Sequence, residues 1–268
     1  MNLLVSIQWG QVGIVVGIFA AIAIALTALI LLIVKLCKVE TDERAEAVLE
    51  KLAGANCGGC GCSGCSDFAK KLCHGEAKLS SCHVTDSANK AEIASLLGIE
   101  VGHTEPTVMI VACSGGDNAK NSCTYVGNPS CDAIVSVGGN KVCSFGCEGG
   151  GTCAAVCPQK AITIEEGRSH INTDRCISCG TCALNCPKAI LRRIPVSAPV
   201  YVACSSNCKG KDVMNACTKG CIGCGLCAKN CPSGAITMVN NLPVIDYKKC
   251  TGCLTCVGKC PRKVIVQR

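Results

Sequence analysis

The hydrophobic pattern of this chain opens with one uninterrupted apolar stretch. Residues 1–34 carry no charged side chain, and Val12–Val34 is apolar apart from Gly13, Gly17 and Thr27. A run of this length spans a bilayer with some tilt. It is apolar on every side, unlike the amphipathic helix of a soluble domain. Trp9 stands just before it, where an interfacial aromatic is expected, and Lys35, Lys38 and Arg44 follow it. The positive flank predicts that the bulk of the chain lies on the cytoplasmic side. No Lys or Arg precedes the run, and it is too long for a cleaved signal peptide. The span holds no ionisable residue, so alone it reads as an anchor rather than an ion path. Gly13 and Gly17 form a G-x-x-x-G pair, a weak signal for helix association.

The pattern then becomes helical in period. Ala45, Val48, Leu49 and Leu52 fall on one face of a short helix over 41–53, with Thr41 or Asp42 as its cap and Gly54 at its end. A second helix is expected over 86–98, and 99–106 reads as a linker. Beyond it the pattern shortens to strand-like runs that end in cysteine, T-V-M-I-V-A-C at 107–113 and A-P-V-Y-V-A-C at 198–204. Residues 143–194 align on 217–268 without a gap, at an offset of 74, with 19 of 52 positions identical. A chain that repeats without gaps repeats its fold.

Composition supplies the chemistry. The chain has 29 cysteines in 268 residues and only 3% aromatic residues. Cys176, Cys179, Cys182 and Cys186 stand as C-x2-C-x2-C-x3-C before Pro187. Cys221, Cys224, Cys227 and Cys231 repeat that spacing before Pro232, and Cys250, Cys253, Cys256 and Cys260 before Pro261. This is the bacterial ferredoxin run, which ligates [4Fe–4S] clusters and sends its fourth cysteine to the partner cluster. Disulfides fit poorly, because the count is odd and no cleavable signal is evident. Zinc is the stronger rival, yet zinc sites use two well-separated pairs rather than this triplet.

The exchange rule groups Cys221, Cys224 and Cys227 with Cys260, and Cys250, Cys253 and Cys256 with Cys231. It groups Cys176, Cys179 and Cys182 with Cys157. The remaining set is irregular: Gly150 stands where the second copy has Cys224, leaving Cys147, Cys153 and Cys186. Cys143 is the expected fourth ligand. Nearer the N-terminus, N-C-G-G-C-G-C-S-G-C offers Cys57, Cys60 and Cys65, with Cys82 beyond, as a fifth site. Its glycines let the backbone turn close to the sulfurs. Cys113, Cys123, Cys131, Cys204, Cys208 and Cys217 read either as ligands of further clusters or as buried thiols. Cys37, Cys62 and Cys73 are left over, and His74 and His83 are minor ligand candidates beside Cys73 and Cys82.

Charge alters the picture once clusters are counted. The formal charge is +7. Each [4Fe–4S]2+ core with four thiolates contributes about −2, so five bring the loaded chain to roughly −3. That removes the case for nucleic-acid binding. Lys209, Lys211, Lys219, Lys248 and Lys249 form a candidate patch for an acidic redox partner. No G-x-G-x-x-G follows a strand and no P-loop is present, so neither a flavin nor an NAD site is expected.

The fold class read from these features is α+β. A transmembrane anchor (1–38) leads to a small four-cysteine [4Fe–4S] module (39–102). Two tandem bacterial-type 2[4Fe–4S] ferredoxin-like modules follow (103–196 and 197–268), giving at least five clusters in all.

An apolar N-terminal helix, an N-C-G-G-C-G module and paired ferredoxin repeats, in this order, resemble the B subunits of the Rnf family, the ion-translocating ferredoxin:NAD+ oxidoreductases. The resemblance covers nearly the whole chain. It implies a single-pass component of a prokaryotic cytoplasmic-membrane complex, taking electrons from soluble reduced ferredoxin. It also implies integral membrane partners that move Na+ or H+, and a flavoprotein partner that reduces NAD+. This chain departs from the family at Cys62-Ser63, where Tyr-Pro is usual, and at His83-Val84, where Pro-Gly is common. Two alternatives remain: a membrane-tethered polyferredoxin serving a hydrogenase or a corrinoid-activating system, and an iron–sulfur sensor or store.

Overall fold

The computed structural model describes residues 9–36, 42–101 and 105–268. The chain divides into two units, residues 1–43 and 44–268. In the first, α1 (Trp9–Leu36) is a single helix with Lys35 in its last turn. Its Val16–Ile33 stretch has a mean hydropathy of 2.9 and no buried residue. Among the described residues, nothing beyond the helix's own backbone lies within 4 Å of a Cβ built on Gly13 or Gly17. Cys37, Lys38 and Thr41 lie outside the described residues.

α2 (Glu43–Lys51) buries Ala45 and Val48, the face expected from the period. α3 (Cys65–Cys73) buries Phe68, Ala69 and Leu72 against them. α4 (Ser87–Leu97) starts where the Asp86 side chain accepts the Asn89 amide at 2.7 Å and ends on Gly98, whose φ of 65° suits a left-handed cap. Ile93 and Ala94 complete this small core.

The two ferredoxin repeats follow the same plan. In the first, β1 (Thr107–Val111) and α5 (Cys131–Ser136) precede α6 (Thr152–Ala155) and the hairpin β2–β3 (Ile162–Glu165, Arg168–Ile171). Then come α7 (Thr181–Leu184) and β4 (Leu191–Pro195). In the second, β5 (Val200–Val202) and α8 (Lys211–Ala216) lead to α9 (Leu226–Lys229). The hairpin β6–β7 (Ile236–Val239, Leu242–Ile245), α10 (Thr255–Lys259) and β8 (Ile265–Gln267) close it. The hairpins pair in equivalent register, Ile162 with Ile171 and Ile236 with Ile245. Their two-residue turns, Glu166-Gly167 and Asn240-Asn241, take positive φ at both positions, as tight hairpins require.

The strand that enters each repeat pairs with the strand that leaves it, β1 with β4 and β5 with β8. β1 is buried on both faces, which explains its unbroken apolar sequence. Met109 and Val111 face the cysteines of their own module. Val108 and Ile110 pack with Ile194 and Ala198 against Tyr201 and Tyr247.

Candidate iron–sulfur sites

Among the described residues, three cysteine-lined cavities hold sets that the spacing predicts. Cys57, Cys60, Cys65 and Cys82 surround the first. Gly58 and Gly61 adopt φ of 69° and 85°, and the Gly61 amide closes a turn on the Gly58 carbonyl at 3.0 Å. Asn56 Oδ1 accepts the Cys65 amide at 2.8 Å and pins the start of α3. Cys157, Cys176, Cys179 and Cys182 line the second cavity, and Cys221, Cys224, Cys227 and Cys260 the third. The fourth predicted set also converges, because Cys256 feels the charges of Cys250 and Cys231, and Cys231 that of Cys253. Cys253 of this set is exposed, as Cys224 is in the third.

Each cysteine triplet reaches its cavity by one local device. The residue before the short helix carrying the third cysteine is left-handed: Gly151, Gly180, Gly225 and Leu254, with φ of 78°, 85°, 70° and 58°. The chain thus reverses within the triplet and wraps its thiols around one point.

The chemistry of these sites fits a cationic iron–sulfur core. Burial pushes the Cys182 thiol up to about 12, and Cys153 and Cys221 to about 11, with neighbouring thiolates acting in the same direction. Such a thiol ionises only when bound cations balance the charge. Backbone amides stand ready for the sulfurs, as where the Ala161 amide donates to Cys157 Sγ at 3.3 Å. No three of these thiols need to meet at one ion for a cubane to be held, since each takes a different iron.

The irregular site differs from the sequence expectation. Its cavity is lined by Cys147, Cys153 and Cys186 together with Cys131, not Cys143. The stretch from Cys113 to Cys143 is longer than its counterpart from Cys204 to Cys217, and the extra chain forms α5 with Cys131 at its start. The Cys131 amide donates to Thr152 Oγ1 at 2.8 Å. A Cβ on Gly150 would overlap the Pro129 carbonyl and the Cys131 amide, so the missing cysteine at 150 is what admits this segment. Cys143 instead begins a turn closed by the Gly146 amide and lines a different cavity with Cys113, Cys204, Cys208 and Cys217. The difference in length between the two copies was the sequence signal for Cys131.

The remaining candidates sit apart from these sets. Cys62 is buried in the core of its module and is absent from the wall of the N-terminal cavity. Cys73 packs on the core of its module. Cys123 is exposed, with its thiol 3.7 Å from the Gly139 carbonyl. His74 and His83 each donate through Nδ1 to a backbone carbonyl, of Lys70 at 2.7 Å and of Ser81 at 2.9 Å.

Comparison with known proteins identifies the cysteine-rich segments as iron–sulfur domains. Residues 52–84 match a family described as a putative Fe-S cluster domain. Residues 145–190 and 220–264 each match the 4Fe-4S dicluster domain. The chain is 39% identical over 243 residues to the B subunit of the Na(+)-translocating ferredoxin:NAD(+) oxidoreductase complex of Acetobacterium woodii, covering 90% of this chain and 70% of the relative. It is 37% identical over 240 residues to the B subunit of the ion-translocating oxidoreductase complex of Methanosarcina acetivorans, covering 87% and 90%. It is 40% identical over 212 residues to the B subunit of the proton-translocating ferredoxin:NAD(+) oxidoreductase complex of Clostridium ljungdahlii, covering 77% and 74%. With 37–40% identity to these B subunits sustained over most of its length, the chain belongs to the family of B subunits of Rnf-type ion-translocating ferredoxin:NAD+ oxidoreductase complexes.

Proposed function

We propose that this chain carries electrons from reduced ferredoxin into an Rnf-type membrane complex, through five [4Fe–4S] clusters held by twenty cysteines. The ligand sets are Cys57/Cys60/Cys65/Cys82, Cys131/Cys147/Cys153/Cys186, Cys157/Cys176/Cys179/Cys182, Cys221/Cys224/Cys227/Cys260 and Cys231/Cys250/Cys253/Cys256. When bound, a [4Fe–4S] cluster takes up and releases one electron at a time. The protein's part is to fix the spacing, exclude water and set the charge around each site.

The observation that carries this reading is the contact between the first two sites. Cys179 lies in the wall of both cavities. A Cβ on Gly59 would overlap the Cys179 carbonyl, so the two cysteine loops touch backbone to backbone. Such contact between two of the five sites supports electron transfer rather than storage. The domain limits that suit it are 1–38 for the anchor, 39–102 for the four-cysteine module, and 103–196 and 197–268 for the ferredoxin modules.

Membrane attachment through α1 suits a component of a membrane complex, and Lys35 after the apolar span supports a cytoplasmic location for the clusters. Relatives named for Na+ and for proton translocation are 39% and 40% identical to this chain. Likeness in this component therefore does not sort the two ions, and ion choice belongs to membrane partners.

The test is anaerobic electron uptake by the full-length chain in detergent. Reduced ferredoxin should reduce the clusters, with a rate that falls as salt rises if the lysine patch guides docking. A chain that dithionite reduces but reduced ferredoxin does not would sink the donor assignment.

A further inference from the structure

Five sites leave Cys113, Cys143, Cys204 and Cys217 unused, and the structure gathers these four thiols around one cavity of about 310 Å3. We infer that they ligate a sixth [4Fe–4S] cluster, seated in the seam between the two ferredoxin modules and linking them for electron transfer. This goes beyond the five-cluster reading, and none of the four residues lies within the matched segments 145–190 and 220–264.

The four positions are two pairs of equivalents. Cys113 and Cys204 each end a V-A-C run after the entering strands β1 and β5. Cys143 and Cys217 each stand four residues before the first ligand of their module, Cys147 and Cys221. The hydrogen bonds repeat as well. The Cys147 amide donates to Cys113 Sγ at 3.4 Å, and the Cys221 amide donates to Cys204 Sγ at 3.4 Å. The Gly115 amide adds a second donor to Cys113 Sγ at 3.4 Å. The two modules thus present matching halves of one site.

The halves are held face to face. Across the seam, the Ser114 amide donates to Ala203 O, the Lys120 amide to Ala216 O and the Thr218 amide to Asn118 O, each at 2.9 Å. A Cβ on Gly115 would sit 3.4 Å from Cys113 Sγ and 3.6 Å from Cys217 Sγ, so sulfurs from different modules converge there. Cys113, Cys204 and Cys217 are buried. Thiols that merely fill a core do so at close packing, without a cavity of this volume between them.

The position gives the cluster its role. The Cys147 and Cys221 amides that bond the seam sulfurs belong to ligands of the neighbouring sites, one on each side. A cluster here abuts both modules. Assembly takes two ferrous ions, two ferric ions and four sulfides, and releases four protons from the thiols to solvent. The resulting core then passes between its 2+ and 1+ states, one electron arriving from the cluster of one module and leaving to that of the other.

The experiment counts iron, acid-labile sulfide and zinc in the full-length chain purified in detergent without oxygen. The wild type is compared with Cys204→Ser/Cys217→Ser, with Cys143→Ser, and with Cys208→Ser, whose exposed thiol also lines the cavity. The expected result is about 24 iron and 24 sulfide per wild-type chain, four fewer of each in the double variant, and no loss in Cys208→Ser. Cys143→Ser, the milder change, should lose the same four, or keep a three-iron signal by electron paramagnetic resonance. A wild-type content of about 20 overturns the sixth cluster while leaving the five-site reading intact. Equal iron in the wild type and the double variant overturns it too, as does one zinc lost without sulfide. A wild-type content below about 20 counts against the five-site reading, and the difference between wild type and variants still decides the seam.

Discussion

Thr181 Oγ1 donates a 2.6 Å hydrogen bond to the backbone carbonyl of Cys57, although 124 residues separate them. Cys57 opens the N-terminal cysteine loop, and Thr181 sits between Cys179 and Cys182 in the first ferredoxin module. The bond therefore ties one cluster loop directly to the next. Gly59 makes the same joint possible by lacking a Cβ, since a side chain there would meet the Cys179 backbone.

Gly59→Ala should open this joint, and the comparison is made on protein that retains its full iron content. Electron transfer between the N-terminal cluster and the ferredoxin modules should then slow at least tenfold. Rapid-mix freeze-quench spectroscopy would check this. Transfer at the wild-type rate would show that the contact is not the route.

Cys131→Ala should remove about four iron and four sulfide per chain, because it takes one ligand from the set with Cys147, Cys153 and Cys186. Cys123→Ala, in the same inserted segment but exposed, should lose none. Gly150→Ala should resemble Cys131→Ala, since its methyl group displaces the backbone at Pro129 and Cys131. Iron analysis of the three variants separates the roles.

Thr85 is buried and serves two groups. Its Oγ1 accepts the Ala53 amide at 3.2 Å and lies 3.2 Å from Cys82 Sγ. With its lone pair engaged by the amide, its proton is directed at the sulfur. Thr85→Val removes a hydrogen bond of about 1 kcal/mol. That stabilises the reduced cluster less and should lower the potential of the N-terminal site by up to roughly 40 mV for one electron. A redox titration followed by electron paramagnetic resonance would measure it, and an unchanged potential would assign the hydroxyl to Ala53 alone.

Glu148 and Lys188 form a nearly buried ion pair at 3.1 Å, with side-chain exposures of 1% and 14%. Glu148 Oε2 also accepts the Asn140 amide at 3.1 Å, which anchors the segment before Cys143. Lys188→Met leaves a carboxylate buried without its partner, a change that costs about 3 kcal/mol or more. Thermal unfolding of the loaded protein should shift down accordingly. Glu148→Gln paired with Lys188→Met should recover part of the loss.

Much of the fold is legible in the chain itself. The ungapped repeat at an offset of 74 reappears in the matched hairpins, and the period over 45–52 in the buried face of α2. Asp86 and Gly98 bound α4 as their residue types indicate. These features are local, and local chemistry is written in neighbouring residues. Cys143 is near Cys147 in sequence, yet it lines the cavity with Cys113, Cys204 and Cys217 rather than the one with Cys147.

Spacing and alignment alone establish that the chain holds [4Fe–4S] modules, that its C-terminal half is duplicated, and that one apolar helix leads it. Each of those properties depends on a few neighbouring residues or on a repeat that can be laid on itself. Which distant cysteines meet is settled by packing. Cys131 reaches its cavity because Gly150 leaves room for the inserted segment. Cys143 joins Cys113, Cys204 and Cys217 because the paired backbones of two modules bring them to one seam. A thiol's partners follow from how folded modules fit together, and that fit depends on the whole surface rather than on any short run of residues.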